Sequence, residues 1–391
     1  MDVINKINNT KYLLLIMFIG LIVRIIAYIF SSGFEGDTHT YVKAGEQFFS
    51  NGLIESHDVM PLYPIFTYIF GESIYIFNII ISSLTIYLVY ILSITLFKNT
   101  YVGLVAAFVY SLYPHSILWS ISSMTETTYV FLFLSSFILL YNQKYFLASI
   151  VIVLSILERP ILDILGPFLL VIFSFYIHKE SLKKTIANII KYMMVYVCLM
   201  TPWWIHQLNK YEDTFVRLNL GTGLVLYAGN NPLNKTGGGV AIGGKSQDYS
   251  LDEFKDLKDD VVKRNTMKDK AIEYILENPF HFVKMAGKKF IRFWRLYPHA
   301  PQYEKIKYIL LSLLSYGVVF IFFILYCFRY LKQHWKIILP ILVTISYFTF
   351  VHMVFIASIR YRFPIEPFLI IFASFYFVER FELKKSLNVV K

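Results

Sequence analysis

Residues Ile74–Phe97 read IYIFNIIISSLTIYLVYILSITLF, an unbroken apolar stretch without a single charge. A helix needs about 20 such residues to cross a bilayer core. Inside lipid the backbone amides must be satisfied within the segment, so the stretch is helical. Tyr308–Phe328 and Ile337–Ile359 are equally free of Asp, Glu, Lys and Arg. Working outward from these blocks, spans are expected at about 12–30, 74–97, 101–119, 121–141, 145–157, 160–178, 187–206, 308–329, 337–359 and 362–379. The fold class is therefore an all-α polytopic membrane protein of about ten transmembrane helices. Residues 1–391 read as a single membrane-embedded domain.

Composition agrees. The chain of 391 residues is 57% hydrophobic and 18% aromatic, with 16% charged residues; soluble domains carry about a quarter. Tyr12–Phe30 is too long for a signal-peptide core and has no small-residue cleavage site, so it reads as an uncleaved first span. The 145–157 stretch is short for an independent crossing. It reads as tilted, re-entrant, or joined to the next span through Glu158-Arg159-Pro160.

The net charge of +11 invites a nucleic-acid partner, but its distribution argues against one. Lys6, Lys11, Lys98, Lys144, Lys179, Lys183, Lys184, Arg329, Lys332, Lys336, Arg380, Lys384 and Lys385 sit in short connectors or tails. The positive-inside rule operates in such places, which makes the basicity a topology signal. It puts the N-terminus and the short basic connectors in the cytoplasm. Segments 31–73 and 207–306 then face outward as the two real loops, and the location is a cell (cytoplasmic or inner) membrane. Cys198 and Cys327 both fall in apolar spans and give neither a disulfide framework nor a metal spacing. His39, His57, His115, His281, His299 and His352 do not cluster at ligand spacing, and no metal site is indicated; a divalent cation is left open.

The first outer loop carries an amphipathic helix over Thr38–Phe49, with Tyr41, Ala44 and Phe48 at helical spacing. In the large loop, Gly221–Gly244 is rich in Gly and Asn without periodicity. Lys268–Tyr297 reads as an amphipathic helix interrupted at Asn278-Pro279. Its Phe290, Phe293 and Trp294, with Lys288, Lys289, Arg292 and Arg295, suit lipid headgroups. No internal repeat is visible, which weighs against an inverted-repeat transporter.

Four places can carry chemistry. Phe34-Glu35-Gly36-Asp37-Thr38-His39 sets two carboxylates at the outer end of the first span. A carboxylate there can take a proton from a hydroxyl nucleophile; the bland alternative is a solvated acidic loop. Glu126 opens an apolar run. An unpartnered buried carboxylate costs several kcal/mol, order of magnitude, so it points to a role, unless it only complements a helix dipole. Arg360-Tyr361-Arg362-Phe363-Pro364-Ile365-Glu366-Pro367 places two arginines at an outer junction, against the positive-inside bias. Their planar forks suit bidentate phosphate contacts; snorkelling and an Arg362–Glu366 pair are the alternatives. Arg24 lies inside the first span, where an arginine is functional by default unless it snorkels outward. Arg159 lies beside Glu158 and Asp163, which suggests a structural ion pair. Gly239-Val240-Ala241-Ile242-Gly243-Gly244-Lys245-Ser246 fits a P-loop pattern, but lacks the strand before it and the helix after it. It reads as a chance match.

The order of these pieces resembles the GT-C superfamily of bacterial membrane glycosyltransferases, in particular the group of protein O-mannosyltransferases and lipid A aminoarabinose transferases (glycosyltransferase family 39-like). The resemblance runs over nearly the whole chain. It rests on Glu35-Gly36-Asp37 with Tyr41 and Ala44, Pro61-Leu62-Tyr63-Pro64, Tyr113-Pro114, Thr125-Glu126, Glu158-Arg159-Pro160, Thr201-Pro202-Trp203-Trp204, Gly229-Asn230-Asn231-Pro232 and Arg360–Pro367. It implies transfer of a sugar from a polyprenyl-phosphate donor to an extracytoplasmic acceptor (lipid glycan, wall polymer or protein), with inversion. It implies a catalytic role for Asp37 as general base and a second acidic position at Glu126. It leaves Arg360 and Arg362 as candidates for the donor phosphate. Glu35, Arg24, Arg159 and Tyr361 complete the expected substrate-binding set. The large soluble C-terminal domain of some relatives is not expected, since only a short basic tail follows Arg380, so acceptor docking would fall to 207–306. A lipid-linked oligosaccharide polymerase shares this topology; a lipid-sugar flippase would need charged or broken helices at the midplane.

Overall fold

The computed structural model describes residues 2–381 apart from 32, 213, 240, 243, 244, 247, 299–302 and 304. Regular structure among the described residues is helical except for a short antiparallel ladder, Ala241–Ile242 with Lys245–Ser246. The helices in order are α1 Asp2–Phe30, α2 Thr38–Asn51, α3 Leu62–Phe70, α4 Ile74–Phe97, α5 Thr100–Ser111, α6 Pro114–Ser120, α7 Glu126–Tyr141, α8 Tyr145–Ile156 and α9 Leu162–Val171. Then follow α10 Leu182–Lys210, α11 Gly221–Gly229, α12 Asp260–Glu277, α13 Pro279–Phe293, α14 Ile306–Ser312, α15 Val318–Val354, α16 Ile359–Arg362 and α17 Glu366–Arg380. Local chemistry sets the boundaries. Asn99 accepts from the Tyr101 amide at 3.0 Å and caps α5. Pro114, fixed at the start of α6, bends α5 and α6 by 56°.

Large apolar side chains face outward while charges face inward. Phe18 is 60% exposed, Phe30 84% and Phe168 61%, whereas Arg24 is fully buried. A surface of this kind belongs in lipid. Among the described residues five helical runs are long and apolar enough to cross a bilayer: Asn9–Phe30, Leu62–Phe97, Leu182–Lys210, Ile306–Val354 and Ile359–Arg380. The bent pair α5 and α6 makes a sixth. Glu126–Tyr141, Tyr145–Ile156 and Leu162–Ile177 are apolar but shorter than the roughly 20 residues of a full crossing. Helix length therefore does not establish the expected ten spans. The expected 121–141 span begins only at Glu126, because residues 121–125 form a polar turn at the helix mouth.

Two of the long runs are not straight. Tyr63 in α3 accepts from Asn78 Nδ2 of α4 at 2.9 Å, so the chain folds back at Gly71. The Ile306–Val354 run also doubles back. The Arg362 guanidinium lies 3.6 Å from the Tyr316 ring centre, and the neighbouring Tyr361 stacks on His352 at 4.8 Å. Tyr316 and His352 would stand about 54 Å apart in a straight helix. Phe293 and Trp294 repeat the pattern, touching His352 and Phe320. The run is thus two antiparallel arms that reverse near His334, among Arg329, Lys332 and Lys336.

The reversal lets α17 run through the middle of the bundle. Phe368 packs on Phe133 and Phe137, and Phe372 on Phe97, Phe323 and Tyr326. Consecutive residues Phe368–Phe372 are all fully buried. Helix α17 thereby fixes α16, and with it Arg360, against the N-terminal ends of α2 and α7.

Candidate functional site

Asp37 sits at the N-terminal boundary of α2 but makes no side-chain capping bond. Its carboxylate reaches Arg360 instead, with Nη1 donating to Oδ2 at 2.9 Å. The approach is possible because Gly33 adopts φ +71, and a Cβ there would meet the Ile121 carbonyl at 2.3 Å. The Phe34 amide then donates to Ser122 Oγ at 2.9 Å and Thr38 Oγ1 to the Ser123 carbonyl at 3.0 Å. These bonds lash the first loop to the turn before α7.

Glu126, the first residue of α7, is fully buried. Its Oε1 accepts from Arg159 Nη2 at 2.5 Å and from Arg360 Nε. Arg159 is held further by Thr125 Oγ1 at 2.7 Å and stands 5.8 Å from the Tyr129 ring centre. Arg360 stands 5.7 Å from the Trp119 ring centre. The result is one chain of alternating charges, Asp37–Arg360–Glu126–Arg159. Its inner end is buried, whereas the Asp37 side chain is 53% exposed. Arg360 Nη2 and Arg159 Nη1 make no hydrogen bond among the described residues. Glu126 Oε2 is buried without a partner. Burial raises the Tyr41 hydroxyl, with the positive charges of Arg360 and Arg159 opposing. Beneath the site, buried Glu158 accepts from Thr128 Oγ1. Burial lifts its carboxyl to about 8, against the opposing Thr128 bond and Arg159 charge, so it is protonated at neutral pH.

Of the residues singled out from sequence, Asp37, Glu126, Arg159 and Arg360 converge. Tyr361 borders them, stacked on His352. Glu35 is exposed and takes no part in the cluster. Arg362 is corrected. It points away from the cluster, donating to Glu366 Oε1 at 2.8 Å and to the Phe293 and Arg295 carbonyls at 2.7 and 2.8 Å. Residues two apart on a helix face opposite sides, which separates it from Arg360. Arg24 is corrected as well: it binds Ser82 Oγ, the Gly20 and Ser111 carbonyls and Ser116 Oγ at 2.8–2.9 Å, tying α1 to α4, α5 and α6. The partner of Arg159 is Glu126, not Glu158 or Asp163, since Asp163 pairs with Arg217 at 2.5 Å and accepts from Tyr196 at 2.6 Å. Trp119 was not legible beforehand, because an aromatic in an apolar run carries no signal of its neighbour. Positions 240, 243 and 244 of the P-loop match lie outside the described residues; among the described residues no helix follows Ser246 until the single turn Asp252–Phe254. Among the described residues no group of three or more His, Cys, Asp or Glu could hold a metal ion.

No family model matches the sequence, and no curated protein does. Solved structures do. The oligosaccharyltransferase of Archaeoglobus fulgidus tethered to an acceptor peptide containing the NVT sequon superposes with a TM-score of 0.58 at 14% identity, over 99% of this chain and 51% of that one. The archaeal oligosaccharyltransferase AglB of the same organism, in complex with an inhibitory peptide and a dolichol-phosphate, gives 0.53 at 13% identity, over 99% and 52%. The apo form gives 0.52 at 12%, over 97% and 52%. The chain spans about half the length of the structures it matches. At this identity the likeness speaks to architecture alone: the chain shares its fold with about half of these oligosaccharyltransferase structures.

Proposed function

We propose that the chain is a glycosyltransferase that moves a sugar from a polyprenyl-phosphate donor to an acceptor at the extracytoplasmic face of a cell membrane. The observation that carries this reading is the Asp37–Arg360–Glu126–Arg159 chain. It offers an exposed base beside two guanidinium groups, each with a spare donor, at the mouth of an apolar helix bundle. The donor's tail lies along the lipid-facing helices and its phosphate meets Arg360 Nη2 and Arg159 Nη1. Asp37 takes the proton of the acceptor hydroxyl. The hydroxyl oxygen bonds to the anomeric carbon from the face opposite the phosphate, and the bond from that carbon to the phosphate oxygen breaks. Polyprenyl phosphate leaves with the electron pair, and the configuration inverts. Glu126 holds both arginines at a fixed spacing. A well-placed donor to the leaving phosphate contributes roughly 3–4 kcal/mol to the barrier reduction.

The acceptor is a glycan lipid, a wall polymer or a protein; the peptides bound by the similar oligosaccharyltransferases favour a peptide as the first acceptor to try. The test uses the protein in lipid nanodiscs with a radiolabelled polyprenyl-phosphate sugar and candidate acceptors. Asp37→Asn should abolish transfer at normal protein yield. Full turnover by that variant removes Asp37 from the role of base. Movement of the labelled lipid across liposome membranes without transfer would identify a flippase, and products of graded chain length would identify a polymerase.

A further inference from the structure

The segment that delivers Arg360 is held from outside the bundle. Helix α15 ends at Val354, and the next four residues have no helical structure before α16 begins. The last carbonyls of a helix need partners from elsewhere. The Val354 carbonyl receives two, Lys289 Nζ at 3.0 Å and Asn230 Nδ2 at 2.9 Å, both from the large outer segment. Lys289 Nζ also donates to Asn230 Oδ1 at 3.1 Å. Gly229 approaches so closely that a Cβ would lie 2.1 Å from the Phe355 carbonyl. The Ala357 amide donates to the Gly237 carbonyl at 3.1 Å, and Arg292 Nε to the Ala357 carbonyl at 2.8 Å. Ser358 then caps α16 by accepting from the Arg360 amide at 3.3 Å. Residues 354–357 are thus gripped by 229–237 and α13, six residues or fewer from the guanidinium that faces Asp37.

Lys289 is the unexpected member of this grip. It is fully buried and pairs with no carboxylate among the described residues. Burial lowers its ammonium to about 8. A buried cation without a counterion is costly. A cation at a helix C-terminus is stabilised by the exposed carbonyls and the helix dipole. Lys289 therefore acts as a C-terminal cap for α15 supplied by a different segment.

We propose that Lys289 is a positioning residue for Arg360, through which the outer segment 221–293 sets the placement of the donor phosphate. This rests on the reading of Arg360 as a phosphate ligand. An acceptor that seats on the outer segment would then act on the donor site through residues 354–358.

The test compares Lys289→Met, Asn230→Ala, Lys284→Met and Arg360→Ala in nanodiscs, with polyprenyl-phosphate sugar as the varied substrate. Lys284, exposed on the same helix and without a hydrogen bond to segment 229–237, serves as control. Lys289→Met should lower kcat/KM for the donor roughly ten- to a hundred-fold, mostly through donor KM, because a displaced phosphate ligand weakens donor binding. Asn230→Ala should move donor KM in the same direction and answers the question if Lys289→Met does not fold. Lys284→Met should match the unaltered protein. A merely structural Lys289 would lower the active fraction, and with it Vmax, at unchanged donor KM; that result overturns the proposal. If Arg360→Ala raises donor KM while Lys289→Met and Asn230→Ala do not, only the grip is refuted. If Arg360→Ala leaves both kcat and donor KM unchanged, the phosphate reading falls and the grip with it.

Discussion

Removing the Arg360 side chain separates chemistry from scaffolding more sharply than any other single change. Arg360 touches both acids, Asp37 at 2.9 Å and Glu126 through Nε. Asp37 is half exposed, so water replaces its lost partner and the cost there is within about 1 kcal/mol. Glu126 is fully buried but keeps Arg159 at 2.5 Å, so the loss stays below the roughly 3–5 kcal/mol of stranding a buried charge entirely. Arg360→Ala should therefore fold, with a modestly lowered Tm. Its rate should fall much further. Losing a preorganised donor to a developing oxyanion costs about 2.7–4 kcal/mol, or roughly a hundred- to a thousand-fold in kcat. The assay is turnover per folded molecule in nanodiscs, with the folded fraction read by size exclusion and thermal denaturation. Turnover within about threefold of the unaltered protein would refute the assignment, because a phosphate ligand cannot be removed so cheaply.

Other expectations follow from the same contacts. Arg362→Ala and Arg24→Ala should lower Tm more than Arg360→Ala does, because each strands buried partners, yet turnover per folded molecule should stay near normal; loss of turnover at unchanged Tm would return either residue to the site. Glu158 has a folded-state value of about 8 against an ordinary one near 4.5. Its burial costs nothing below the ordinary value, and the protein loses stability as pH rises from about 4.5 to 8. Glu158→Gln should remove that slope in a Tm series from pH 5 to 9; identical slopes would contradict the buried acid. Helix α13 leaves Phe280 91%, Val283 67% and Ile291 69% exposed beside Lys284 and Lys288. Phe280→Trp should be quenched by brominated lipids in the outer leaflet and not by aqueous iodide; the reverse would place α13 in water.

Much of this arrangement is legible in the sequence. The apolar blocks give α1, α4, α10 and the two arms of the 306–354 run. The spacing of Tyr41, Ala44 and Phe48 gives α2. Acids near helix mouths, Asp37 and Glu126, mark the site because lipid makes unpaired charge expensive. The rest depends on tertiary placement. A one-dimensional pattern cannot show that Arg159 reaches past its neighbour Glu158 to Glu126. It shows that 145–157 is short for a crossing, but not that α7 and α9 fall short as well. The division between Arg360 and Arg362 was within reach: residues two apart on a helix diverge, and the i,i+4 spacing of Arg362 to Glu366 marked the structural member. Lys289 was assigned with its neighbours to the lipid face, whereas it points into the protein beneath Asn230. Only the helix's true orientation distinguishes it from Lys288.

The most direct measurement is a structure of the protein in nanodiscs with a non-transferable polyprenyl-phosphonate sugar bound. The phosphorus should lie where its oxygens reach Arg360 Nη2 and Arg159 Nη1 at hydrogen-bonding distance, about 2.7–3.0 Å, with the anomeric carbon turned toward Asp37. A headgroup bound at Arg362, at Arg24, or at the opposite end of the bundle would contradict the account.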